Sequence, residues 1–296
     1  MNFLLNKIRA GVKKPNTIVV ILLGYLIVVI GLMMAKGIFI TPDRLLIFIL
    51  FAALVMGRLR GFIRDWIPFV ILILAYEMLR GFADNTGISL NMANLVAWEI
   101  GIFGFIPTEY LQQKFYYYNS LNWYDFTATI IYFLHFPLPI LVAFFFWLKN
   151  KHQYYKFVTA LIVVSFAAFI TFVLFPAAPP WYAAENGIIS VQKIVNTVMN
   201  QLGWNRNLTY YYSHLNPNSV AAMPSLHAAY AWLAFLSLAT FSKKYGILFI
   251  IYPFLSWISS IYLGEHYVID IIIGVLYASA VYFMVYRLQW IKLWKS

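Results

Sequence analysis

The chain has 296 residues, 63% of them hydrophobic and only 10% charged, with a mean hydropathy of +0.77. That balance excludes a soluble globular domain and places the chain among polytopic membrane proteins. The absence of cysteine excludes thiol nucleophiles, disulfides and thiolate metal sites, and the net charge of +11 is first to be weighed against topology, not nucleic acid.

Apolar runs long enough to cross roughly 30 Å of hydrocarbon fall at about 17–35, 44–57, 66–79, 126–148, 157–175, 223–241, 245–263 and 267–286. The expected fold is therefore all-α: a polytopic membrane helix bundle of about eight spans forming a single integral-membrane domain over 1–296. The basic segment 1–16 precedes a run with no small-residue cleavage site, so it reads as the flank of a retained first span. Two longer segments, 81–125 and 176–222, separate spans on one side. The first mixes apolar and polar residues at near-helical spacing, which predicts interfacial helices on the outer face. The second opens with FPAAPPWY, where three prolines forbid continuation of the preceding helix.

With eight spans both termini share a side, and 15 of the 21 basic residues fall in the segments on that side. By the positive-inside rule that side is the cytoplasm. The asymmetry explains most of the basicity without a nucleic-acid partner, and a plasma-membrane location is expected.

The last span opens with ionisable groups. His266 and Asp270 are four residues apart, one helical turn, and His227 lies in the first turn of the sixth span at the same outer end. A carboxylate that fixes one imidazole nitrogen leaves the other as a base or nucleophile, and a second histidine can protonate a leaving oxygen. Ser225, after Pro224, suits a helix N-cap whose free N–H groups favour phosphate. Together these residues describe phosphoryl transfer through a phosphohistidine. Three other readings stand beside it: a structural His–Asp hydrogen bond, a metal site of two histidines and a carboxylate, and a transporter using intramembrane charge. No cofactor is expected on the phosphohistidine reading.

At these residues the sequence resembles the type-2 phosphatidic acid phosphatase superfamily. P-S-L-H at 224–227 stands for that family's P-S-G-H, and S-S-x5-H-x3-D at 259–270 for its S-R-x5-H-x3-D. The resemblance implies His266 as nucleophile, Asp270 as its orienting partner and His227 as the acid toward the leaving group. Two departures matter: K-x6-R-P is absent, with FPAAPPWY in its place, and Ser260 stands where arginine is usual. FPxxPPWY with PSLHA and YLxxHYxxD is similar to the inositolphosphotransferase branch, typified by fungal inositol phosphorylceramide synthases and their bacterial relatives. That implies a lipid phosphate substrate at the outer leaflet, with an alcohol or lipid head-group acceptor. Water as acceptor would instead make a lipid or prenyl phosphate phosphatase.

With two family cations missing, other residues are expected at the phosphate. Arg80 ends the third span on the outer side and offers bidentate guanidinium binding. His135 lies inside the fourth span beside Pro137 and Pro139. Pro179, Trp181 and Tyr182 of the proline-rich motif complete the expected substrate-binding set, with Lys193 and Arg206 as weaker loop candidates. Glu265 reads as an exposed acid where the last helix begins.

Overall fold

A computed structural model of the chain describes residues 42–82, 88–118, 120–202 and 221–288, with three isolated positions, 24, 28 and 31. Apart from those three positions, the expected first span lies outside the described residues, as does Arg206. In a bilayer each backbone N–H and C=O has to be satisfied within its own segment, and the described chain is helical accordingly. Among the described residues there is no β-strand, only isolated parallel bridges from Ala177 to Asn91 and to Ala221.

In chain order the helices are α1 (Pro42–Val55), α2 (Leu59–Phe82), α3 (Ala93–Phe103), α4 (Pro107–Phe115), α5 (Trp123–Phe133), α6 (Pro137–Lys149), α7 (Lys151–Leu174), α8 (Pro180–Glu185), α9 (Ile194–Gln201), α10 (Leu226–Phe241), α11 (Lys243–Phe249), α12 (Ile251–Tyr262) and α13 (Val268–Tyr286). Among the described residues three helical runs are long and apolar enough to cross a membrane: α7, the continuous stretch Lys243–Tyr262, and α13. The chain is thus an integral-membrane helical protein. The expected fourth span is broken into α5 and α6, bent by 50°. Its break lies at 134–136, where Pro137 and Pro139 each lack an N–H and their rings crowd the preceding turn. Taken together the two helices are long and apolar enough for a fourth crossing. α2 has 24 residues but carries charge at both ends, and α1 and α10 are shorter apolar helices.

α10 is the axis of the bundle, packed against α13, α7 and α12. Its buried Ala228, Ala229, Ala231 and Ala234 keep the helix thin, the composition that lets membrane helices approach closely. Closest approach is at Gly274 of α13, where a Cβ would lie 2.3 Å from the Ser225 carbonyl oxygen. Only glycine fits there. Ser225 N also donates to Asp270 O at 3.0 Å, so the start of α10 is fastened to the start of α13.

The far end of the bundle is tied by one buried acid. Asp65 on α2 accepts from Trp147 Nε1 at 2.9 Å and Tyr155 OH at 2.7 Å, and pairs with Lys151 and with Arg64 at 3.0 Å. Tyr154 OH donates to its carbonyl at 2.9 Å. One carboxylate therefore joins α2, α6 and α7, beside an aromatic cluster of Trp66, Phe62 and Tyr154. A basic cavity of about 420 Å³, lined among others by Arg58, Arg64, Lys149 and Lys151, opens there.

Candidate active site

The opposite end of the bundle gathers the motif residues. Ser225 is the N-cap of α10 and its hydroxyl accepts from Ala228 N at 3.3 Å, as expected of a serine placed after Pro224. That cap directs the first turn of α10, and with it His227, toward α13. His266 does not ride on the last helix. It sits in the loop before α13, whose N-cap is Tyr267. Asp270, in the first turn, closes that turn by accepting from Tyr267 N at 2.8 Å through Oδ2.

The three groups expected to carry chemistry meet. His266 Nε2 is 3.2 Å from His227 Nδ1, and His266 Nδ1 is 3.5 Å from Asp270 Oδ2. The second distance is longer than a well-formed hydrogen bond, and Asp270 Oδ1 is buried without a partner among the described residues. The ion pair is therefore oriented but not closed. With Nδ1–H of His266 turned to Asp270, Nε2 keeps its lone pair and accepts from Nδ1–H of His227, a tautomer set assigned from the hydrogen bonding. Among the described residues no group of three His, Asp or Glu side chains is arranged to hold a metal ion.

His227 is walled by aromatic rings. Tyr132 stacks on it at 4.2 Å and His135 lies 4.0 Å away, itself stacked on Tyr230 at 5.1 Å. Both Tyr132 and His135 are delivered by the α5–α6 break, so the helix interruption serves the site. Arg80, at the end of α2, pairs with Glu77 at 3.2 Å and lies within electrostatic reach of His135, His227 and Tyr230. The structure thus brings His135 to the histidine pair, while Arg80 contacts Glu77 and the Tyr76 ring.

The proline-rich segment is also drawn in. Pro176 O accepts from Asn91 N at 2.9 Å, Ala177 O from Ala222 N at 2.9 Å, and Gly264 O from Trp181 N at 3.0 Å. The motif is in this way laced between the start of α10 and the loop bearing His266. Gly264 has φ 82, and a Cβ on it would stand 2.7 Å from Gln192 O, which makes glycine the residue for that turn. Pro179 caps α8, Trp181 and Tyr182 lie in its first turn, and Pro176 to Pro180 of the motif are buried; Tyr182 contacts Trp181 edge-on at 5.5 Å. Among the described residues no hydrogen bond or ring contact joins Pro179 or Tyr182 to His227 or His266.

Glu265 departs from expectation. It is 6% exposed, not a solvated acid. Burial pushes its carboxyl above the usual range, with Lys193, His266, Tyr132 and Trp181 near enough to oppose the shift. Lys193 Nζ stands 3.6 Å over the Trp181 ring. Sequence reading also passed over Glu99 of α3, fully buried, whose Oε1 accepts from Ile269 N at 3.0 Å and so caps α13. Burial, with Asp270 nearby, pushes the Glu99 carboxyl up to about 7. Gln112 of α4 is a third: it donates to Gln192 O and Tyr262 O and accepts from Gln192 N, at 2.7–2.9 Å. Each acts across a long sequence separation that no local pattern announces.

Residues 95–284 match the family model of the PAP2 superfamily, the type-2 phosphatidic acid phosphatases. The chain belongs to that superfamily. A phosphoinositol dihydroceramide synthase of Bacteroides thetaiotaomicron is 26% identical over 275 residues, which cover 89% of this chain and 88% of that protein. An inositol phosphorylceramide synthase of Candida albicans is 26% identical over 155 residues, covering 50% of this chain and 33% of that protein. Both relatives fall in the inositolphosphotransferase branch of the PAP2 superfamily that the motifs resemble, and no solved structure matches the chain. As a PAP2 member with such relatives the chain is an enzyme, a phosphotransferase or phosphoric ester hydrolase.

Proposed function

We propose that the chain is a lipid head-group transferase, similar to inositol phosphorylceramide synthases, that moves a phosphoryl head group from a phospholipid donor to an alcohol on a second lipid. The observation that carries this reading is the His266–His227 pair at 3.2 Å with Asp270 behind His266.

His266 Nε2 attacks phosphorus, the bond from phosphorus to the leaving lipid oxygen breaks, and His227, protonated to the imidazolium once the substrate phosphate sits beside it, passes its Nδ1 proton to that oxygen and is left neutral. The head group then sits on His266 as a phosphohistidine. In the return step the acceptor hydroxyl gives its proton to His227, its oxygen attacks phosphorus, and His266 is released. Asp270 holds Nδ1 of His266 and offsets its positive charge. A separation of 3.2 Å leaves no room for a phosphoryl group between the rings. Substrate therefore replaces that hydrogen bond and takes its place between nucleophile and acid. Arg80, His135 and the capped start of α10 at Ser225 supply the charge and donors for the phosphate oxygens, while Pro179, Trp181 and Tyr182 shape the approach.

The same reading includes eight spans in one domain, interfacial helices within 81–125 on the outer face, cytoplasmic termini and a site facing the outer leaflet of the plasma membrane. The basic asymmetry supports that orientation. Purified protein given a phospholipid labelled in its head group, with and without a long-chain alcohol acceptor, should yield labelled acceptor. Release of the free phosphorylated head group at the same rate with and without acceptor would make it a phosphatase instead.

A further inference from the structure

The transfer chemistry occupies one end of the bundle and gives no task to the cavity at the other. That cavity, of about 420 Å³, is lined by Arg58, Gly61, Arg64, Trp147, Lys149 and Lys151 among others, and its size is that of a ligand pocket. Helix α7 starts at its rim with Lys151 and ends at Leu174, next to the proline-rich motif. Its 24 residues span about 36 Å of α-helix, so a head group held at the histidine pair does not reach the cavity.

Two of the lining cations are fixed in place. Asp65 accepts from Trp147 Nε1 at 2.9 Å and pairs with Arg64 and Lys151, and Lys151 Nζ also stands 3.9 Å over the Trp147 ring. One carboxylate among the four cations Arg58, Arg64, Lys149 and Lys151 leaves a surplus of three positive charges. Arg58 and Lys149 have no ion-pair partner among the described residues, and such a concave surplus attracts an anion. The neighbouring surface selects a lipid over a free ion. Ile67 and Ile71 follow Arg64 at three and seven residues and are both exposed, so the face of α2 that carries Arg64 runs on from the cavity as apolar surface. We propose that the cavity binds the anionic head group of a membrane phospholipid whose acyl chains lie along that face of α2, at a site separate from the catalytic one. Basic pockets between membrane helices recognise anionic head groups in this way.

Thermal unfolding of the purified full chain in neutral detergent tests this without turnover. Phosphatidylglycerol should raise the melting temperature saturably, because a ligand that binds the fold stabilises it, whereas phosphatidylcholine and inorganic phosphate should not. Arg58→Gln combined with Lys149→Gln should weaken the apparent phosphatidylglycerol affinity by roughly 10-fold or more, the worth of two cations near an anionic head group. Gly61 gives a steric test, since a Cβ there meets nothing within 4 Å. Gly61→Leu fills the cavity without displacing protein atoms, suits a helix interior better than glycine, and should weaken the lipid's affinity as much. Lys243→Gln with Lys244→Gln, at the start of α11 and outside the cavity, should leave that affinity within about twofold. Each variant's melting temperature without lipid certifies its fold. An equal shift from phosphatidylcholine or inorganic phosphate, a full lipid response in either cavity variant, or an equal loss in the Lys243 and Lys244 variant would each overturn the site.

Discussion

Asp270 works through two contacts at once, accepting from Tyr267 N and facing His266 Nδ1. Asp270→Asn keeps its shape and removes its charge, so kcat should fall by roughly 10³–10⁴, the loss seen for the equivalent partner in serine hydrolases. His266→Ala should reduce turnover to background. His227→Ala should spare substrates whose leaving group needs no proton, measured as a much smaller loss on an aryl phosphodiester than on a lipid donor. The motif spacing made these three residues legible, because chemistry needs few residue types at fixed offsets. Glu265 was misread because exposure is a property of packing: nothing in GEHY says that Trp181, from a segment some eighty residues away, covers it.

Among the elements, α13 is held by features of differing legibility. Its length and apolarity were plain in the sequence, but its fastening was not. Gly274 abuts Ser225, so Gly274→Ala should cost about 1–3 kcal/mol through overpacking and lower kcat as well, because Ser225 and Asp270 move with it. Thermal unfolding in detergent and steady-state kinetics check the two parts. Glu99 caps the same helix, and its raised carboxyl has a stability consequence. A protonated Glu99 is favoured in the fold, so its contribution is fully present below its ordinary value of 4.5 and is lost as pH rises to about 7. Wild type should thus lose more thermal stability over that window than Glu99→Gln. Equal pH profiles would contradict it. The break between α5 and α6 was foreshadowed by Pro137 and Pro139, yet hydropathy alone read one continuous span.

Taken whole, the molecule divides its buried charge between two ends. Asp65 binds α2, α6 and α7 far from the site, so Asp65→Ala should cost about 3 kcal/mol and lower the melting temperature without changing KM in the surviving fold. For topology, single cysteines at Asn186 and Lys243 in this cysteine-free chain should be labelled by an impermeant reagent in intact cells only at Asn186; labelling at Lys243 would reverse the orientation. Chelator treatment should leave activity intact, and loss rescued by one divalent ion would restore the metal reading. The central claim is a covalent intermediate on His266, and acid-avoiding rapid quench with mass spectrometry addresses it most directly. With an activated aryl ester of the head-group phosphate and His227→Ala to slow the second step, a head-group phosphate adduct should accumulate on Nε2 of His266. An adduct on another residue, or undiminished turnover in His266→Ala, would contradict the mechanism.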